Sequence, residues 1–280
     1  MSDDASPGYG SAADVPEKAQ GELGDLILTL ADNKRLLGMR YSDWILGAPS
    51  LEAGIACSAM AQDEWGHSRT LYAMLRDFGQ DPAYLEHDRA AGDYASMELL
   101  DEPAKEWQDL LVLNLLVDTA LSVVFESMRE SAYEPIHYKV RKLLAEERFH
   151  FEHARGWLAM MATTPAGKEA LRSAFTPGWT VCLRWFGPTD DSTFSALQEV
   201  GITSLGAEGL RARWLERVGP VVASVGIELA AAVEGEWQSR LQPSFDGWDA
   251  GRRRGPGGGG PDAGTLPRIR GDLNRKLLMD

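Results

Sequence analysis

Two short stretches place a glutamate and a histidine three residues apart within helix-like sequence: Glu64 and His67 in "AQDEWGHSRT", and Glu147 and His150 in "AEERFHFEH". On a helix, residues three apart share a face, so each pair can offer a carboxylate and an imidazole to one point. Carboxylate and imidazole donors together suit iron and similar borderline metals. The spacing alone is weak evidence. Glu134 and His137 in "EPIH" have it too, but Pro135 puts them at a turn, where they read as surface residues.

Position on the helix separates the pairs. Glu64 continues a stripe of Cys57, Met60 and Ala61 towards Leu71, and Glu147 sits between Leu143 and Ala154 on another. An uncompensated carboxylate does not enter a core, so two of them on facing stripes call for a cation. Asp118, in the apolar run "LLVLNLLVD", lies on the stripe of Leu111, Leu115 and Phe125. With the connecting turn centred near residue 133, antiparallel helices bring Asp118 and Glu147 to within about 1.5 Å of the same height. Glu126 also leans inward, but about two turns nearer the turn.

The first helix breaks the pattern. Its stripe passes Leu30 and Leu37 and meets Lys34 between them, where an acidic residue is expected. Asp32 lies about 200° round the helix from Lys34 and should face away. The lysine admits several readings. It replaces one metal in a single-metal site, it neutralises a metal-free cluster, or it is displaced when metal binds and Asp32 rotates in. A fourth reading has its ammonium reach solvent along the stem.

The elements that must position these residues are helical throughout. Leu23, Ile27, Leu30, Leu37, Tyr41 and Trp44 mark a first helix, and "GAPS" at 47–50 ends it. Further helices are expected over about 50–78, 104–131 and 136–163, with a polar crossover at 80–104. Four helices, paired by short turns on either side of one long crossover, make a ferritin-like four-helix bundle, in which such carboxylate sites are built. Additional helices are expected over about 167–187 and 206–238, separated by the loop "FGPTDDS". The class is all-α.

Residues 1–20 read as a disordered N-terminal tail, 21–245 as the helical domain, and 246–280, with "GRRRGPGGGGPDAG", as a flexible tail. Arg252, Arg253 and Arg254 in that tail read as a solvated patch, and "RIRGDLNRKLLMD" as a short segment that docks. A net charge of −14 argues against nucleic acid as a partner. Two cysteines without a CxxC point to a reducing interior. No export signal and no membrane-spanning run is evident, so a cytoplasmic location is expected.

With these residues in view, the chain resembles the phenylacetyl-CoA epoxidase family, ring-epoxidising multicomponent di-iron oxygenases of phenylacetate breakdown. The stretches that carry the likeness are "WILGAPSLEAGIACSAMAQDEWGHSRTLY", "LLVDTALSVVFESMRESAYEPIHYKVRKLLAEERFHFEHARGWLAMM" and "RWFGPTDDS", within residues 22–235. The resemblance implies one catalytic subunit with di-iron ligands and a related structural subunit that has lost them. Glu64, His67, Asp118, Glu147 and His150 stand at the ligand positions, and Lys34 replaces the first-helix glutamate.

Three functions follow as expectations. The first is an oxygenase subunit holding iron, as a pair or a single ion, with electrons from a separate reductase and an aryl-CoA thioester as substrate. The second is a non-catalytic partner in an oligomer with a homologous ferritin-like subunit, its residual ligands closed into salt bridges around Lys34. The third is a ferritin-like metal or oxidative-stress protein.

Overall fold

In a computed structural model of the chain, residues 8–257 and 259–272 are described. Among them, a 3-10 turn, Ala12–Asp14, leads into α1, Glu17–Asp43. Next come α2, Leu51–Met74, and the short α3, Pro82–His87. Ser50 starts α2 by accepting the Ala53 N–H at 3.2 Å, and Gly79, at φ 75°, ends the 3-10 turn that extends it. After the crossover, α4 (Trp107–Val112), a π turn (Leu113–Val117) and α5 (Asp118–Ser127) run on as one rod. The helix α6, Glu134–Met161, completes an antiparallel four-helix bundle, and the all-α expectation holds. Three further helices pack on it: α7 (Pro165–Trp185), α8 (Ser192–Glu199) and α9 (Ala207–Ser224).

The buried stripe of α1 is the expected one: Leu23, Ile27, Leu30, Leu37 and Tyr41 are all 0% exposed. Each such side chain contributes roughly 1.5–3 kcal/mol through removal from water. The helix is buried on its other side too, because the crossover and the C-terminal segment cover Asp32, Asn33, Leu36 and Arg40. The helices α1 and α2 pack tightly where Gly38 faces Trp65. A Cβ there would lie 2.6 Å from the indole Nε1 and 3.1 Å from the Glu64 Cβ. Gly38→Ala is therefore expected to push α2 outward and cost about 1–3 kcal/mol, read as a lower urea midpoint; an unchanged midpoint would mean that the interface yields freely.

The rod Trp107–Ser127 is long and apolar enough to cross a membrane, contrary to expectation, but 94% of its most apolar window is buried inside the fold. It is the central core helix.

Besides α3 and α8, short helices that the sequence reading does not place, the structure differs from it in three places. The expected helix over 206–238 stops at Ser224, and an antiparallel hairpin follows, β1 (Ala230–Val233) and β2 (Glu236–Ser239). Its turn has positive φ at both Glu234 and Gly235, the geometry that suits a two-residue hairpin loop. Near the N-terminus, the expected mobile segment packs from residue 9 onwards. Tyr9 exchanges backbone bonds with Ala132 and Glu134, at 2.7 and 3.0 Å, and Ala12 and Val15 are buried; residues 1–7 lie outside the described chain.

The third difference is the glycine-rich segment from 246, which straps the crossover instead of swinging free. Arg253 and Arg254 are 2% and 1% exposed. Arg254 pairs with Asp101, and Arg253 lies 3.2 Å from Asp191. Composition misleads here because an arginine fork can be buried once carboxylates and carbonyls satisfy its donors. The segment ends in α10, Thr265–Arg270, whose Thr265 hydroxyl accepts from Arg40 at 2.7 Å. That much of "RIRGDLNRKLLMD" docks; residues 273–280 lie outside the described chain.

Candidate metal centre

The bundle positions Lys34 on α1, Glu64 and His67 on α2, Asp118 on α5, and Glu147 and His150 on α6. All six are buried, with His67 the most exposed at 8%. The Lys34 ammonium donates to Glu64 Oε1 at 2.9 Å, Asp118 Oδ1 at 2.8 Å and Glu147 Oε1 at 2.7 Å. It does not reach solvent. His150 Nδ1 lies 2.9 Å from Asp118 Oδ2 and 3.2 Å from Glu64 Oε1, while its Nε2 lies 3.3 Å from Asp63.

Of the five acidic and imidazole residues singled out by spacing, four converge tightly. Glu64, Asp118, Glu147 and His150 offer donor atoms within 4.8 Å of one another, a spacing that can hold a metal ion. His67 stands at the edge. Its Nε2 is 2.8 Å from Glu146, and its Nδ1 is 3.2 Å from Glu147 Oε1. Asp32 does face away from this cluster, as expected. It is nevertheless buried, held by Tyr72 at 2.7 Å, the Ala95 N–H at 2.8 Å and Arg89 at 3.0 Å. Those bonds lie on the opposite side of α1, so Asp32 is not free to rotate in. Glu126 pairs with Arg217, away from the cluster, and Glu134 is exposed.

Spacing alone missed the outer partners. Tyr41, seven residues after Lys34 on the same stripe, donates to Asp118 Oδ2 at 3.0 Å. Asn114, the one polar residue inside "LLVLNLLV", donates to the Tyr41 hydroxyl at 2.9 Å, and its Oδ1 lies 3.1 Å from His153 Nδ1. Asn114 sits in the π turn, which ends one residue before Asp118; such turns recur at functional sites. Ser122 donates to Glu147 Oε2 at 3.1 Å. A polar residue isolated in an apolar run is the signal that could have found Asn114.

Electrostatics bind the cluster together. Burial works against the Lys34 ammonium, but Asp118, Glu147 and Glu64 outweigh it and hold its pKa well above the ordinary lysine value. For Asp118, burial is outweighed by Lys34, a bond from Glu147 and the charge of His150, so its carboxylate stays ionised well below the usual range. Burial also disfavours a charged His150, yet Asp118 and its other carboxylate partners hold it protonated. Burial and the neighbouring Asp118 push Glu147 up to about 7. His67 is raised as well, the bond to Glu147 overcoming burial. Three carboxylates are thus met by Lys34, by His150 and by a proton shared about Glu147 and His67.

This arrangement fixes a sign for pH dependence. Between the ordinary glutamate pKa and about 7, the folded chain holds a proton on Glu147 that the unfolded chain has released, so stability falls as pH rises through that window. The raised His67 acts in the same direction above the ordinary histidine pKa. Stability should therefore decline from pH 5 to 8, with His150, held protonated beyond the ordinary histidine range, adding to the fall in the upper part of that window. Glu147→Gln should flatten the slope in urea titrations, and an equal slope in that variant would refute the assignment.

Comparison with known proteins gives two kinds of match. A family model described as phenylacetic acid catabolic protein matches residues 9–245. Two components of the 1,2-phenylacetyl-CoA epoxidase of Escherichia coli (strain K12) are similar as well. Its A component is 28% identical over 190 residues, covering 66% of this chain and 61% of that relative. Its C component is 25% identical over 190 residues, covering 67% of this chain and 75% of that relative. The chain therefore spans less than two thirds of the length of the A component.

Proposed function

Because the chain belongs to the phenylacetic acid catabolic protein family, we propose that it is a subunit of a phenylacetyl-CoA-epoxidase-like oxygenase assembly, with its own acid–imidazole core closed by Lys34. One observation carries this reading: the Lys34 ammonium lies 2.7–2.9 Å from carboxylates on three different helices. It stands among the oxygens that a metal would use. A di-iron site in this architecture takes one acidic residue from each of two helices and Glu-x-x-His from each of the other two. Here α1 supplies a cation instead of a carboxylate, so a pair of iron ions does not fit beside Lys34. Removing two charges from water costs several kcal/mol per ion, and only close pairing offsets it. Glu64, Asp118 and Glu147 have that pairing already.

On this reading the subunit supports the assembly, in the cytoplasm. Oxidation of an aryl-CoA thioester, with electrons from a reductase component, takes place on a homologous ferritin-like subunit. The two relatives, both components of one epoxidase, support a paired role of this kind. The test reconstitutes this chain with a metal-loaded homologous subunit, a reductase and phenylacetyl-CoA. Co-elution and product formation that survives Asp118→Asn in this chain are expected. Loss of product in an Asp118→Asn variant that still assembles would overturn the proposal.

A second reading has its own support. Glu64 Oε2 is buried without a hydrogen-bond partner, and four donors already lie within 4.8 Å of one another. These favour a form that takes up an iron ion once Lys34 withdraws. Iron content separates the two readings.

A further inference from the structure

Leu51, Ile55, Ala59, Gln62, Gly66 and Ala73 fall within about 80° of arc on α2, opposite its buried stripe. Leu51 and Ile55 are 77% and 61% exposed, and Ala59, Gln62 and Ala73 are exposed as well. A Cβ on Gly66 would meet nothing within 4 Å. The turn before α2 continues this surface. Leu46 is 99% exposed, and the Ile45 carbonyl seats against Gly54, where a Cβ would lie 2.4 Å away. Four of the nine large apolar side chains exposed among the described residues thus lie between Ile45 and Ile55. By contrast, the outer face of α6 carries Arg141, Lys142, Arg148, Glu152 and Arg155, an ordinary solvated surface.

The pattern of this face selects what covers it. When two copies of α2 lie antiparallel about a two-fold axis at Gln62, positions equidistant from Gln62 meet. Leu51 then faces Ala73, and Ile55 faces Arg69. Ala59 and Gly66 meet to within one residue's rise of about 1.5 Å, and Gln62 meets its own copy. Large lies against small at the ends, small against small beside the axis, and amide against amide at the centre. A two-fold interface requires such self-matching, since one patch serves both subunits. Arg69 is the single charge in the strip and is basic in a chain of net charge −14, so two copies repel least at this face. Its stem can lie along Ile55 with the guanidinium at the rim, where Nε donates to the Trp65 carbonyl at 3.2 Å.

We propose that α2 is a self-association surface, on which a second copy of this chain docks its own α2 antiparallel about Gln62. A strip about 33 Å long and one helix wide, roughly 10–12 Å, offers about 400 Å², half of the roughly 800 Å² that a stable interface buries on each side. The turn carrying Ile45 and Leu46 adds to it, and the pair is a reversible one that dissociates in the micromolar range. The inference stands apart from the question of metal, since none of these side chains belongs to the acid–imidazole core.

Sedimentation velocity of the full chain tests it. A shift from the monomer towards twice its mass is expected across the micromolar range. Gly66→Leu should leave the urea midpoint unchanged or higher, because the new side chain meets open space within its own fold, yet weaken the dimer at least tenfold. Leu51→Glu should weaken it as much. Mild oxidation of Gln62→Cys should give a disulfide-linked dimer, whereas Glu152→Cys on α6 should not; the native Cys57 and Cys182 are buried and do not interfere. A monomer at every concentration, or a dimer that Gly66→Leu and Leu51→Glu leave intact, would overturn the proposal. So would a face that captures only a homologous ferritin-like subunit, with Leu51→Glu abolishing that complex while the chain alone stays monomeric.

Discussion

Replacing Lys34 with methionine is expected to destabilise the protein by about 3–5 kcal/mol at pH 8, the usual cost of removing one partner from a buried ion pair. Methionine fills the space of the lysine stem but leaves Glu64, Asp118 and Glu147 facing one another without the ammonium that now lies within 2.9 Å of each. His150 alone cannot neutralise three carboxylates. The deficit should shrink towards pH 5, since carboxylates deprived of a counter-charge take up protons, raising their pKa in the folded state. Urea unfolding of both proteins in the presence of chelator, across that pH range, reads the effect. A pH-independent loss of about 1 kcal/mol would mean that the lysine contributes packing only.

Lys34→Glu should have the largest effect on composition. It restores an acidic residue on α1 and completes the pattern of two single carboxylates and two Glu-x-x-His pairs that di-iron bundles use. The metal-free variant gathers four carboxylates and should be poorly stable, whereas ferrous iron, binding only the folded state, should raise its melting temperature in proportion to the logarithm of free metal. Elemental analysis should rise from near zero in the wild type to roughly two iron ions per chain. An iron content unchanged by the substitution would show that Lys34 does not obstruct the centre.

Much of this centre is legible in the sequence because helical geometry is local. The Glu64–His67 and Glu147–His150 spacings set two pairs on two faces, and counting back from the turn near residue 133 put Asp118 level with Glu147. The same counting identifies Lys34 as the intruder and Asp32 as facing elsewhere. What Asp32 meets there is decided by Arg89, Tyr72 and the Ala95 N–H, contacts of long sequence separation that no periodicity encodes. Asn114, which supports the Tyr41 bond to Asp118, sits in a π turn, which has no signature in the apolar run that forms it. The C-terminal strap departs from the sequence expectation for a related reason. Composition correctly says that glycine, proline and arginine cannot make an apolar core, but Arg253 and Arg254 are buried by pairing with Asp191 and Asp101.

The central claim is that a lysine takes the place of the cation in this bundle, and the iron content of the wild-type protein tests it most directly. The chain should be produced in iron-supplemented cells, purified without chelator and analysed by elemental mass spectrometry. Far less than one iron ion per chain is the predicted result. A stoichiometry near two, retained through gel filtration, would contradict it and return the oxidative chemistry to this subunit.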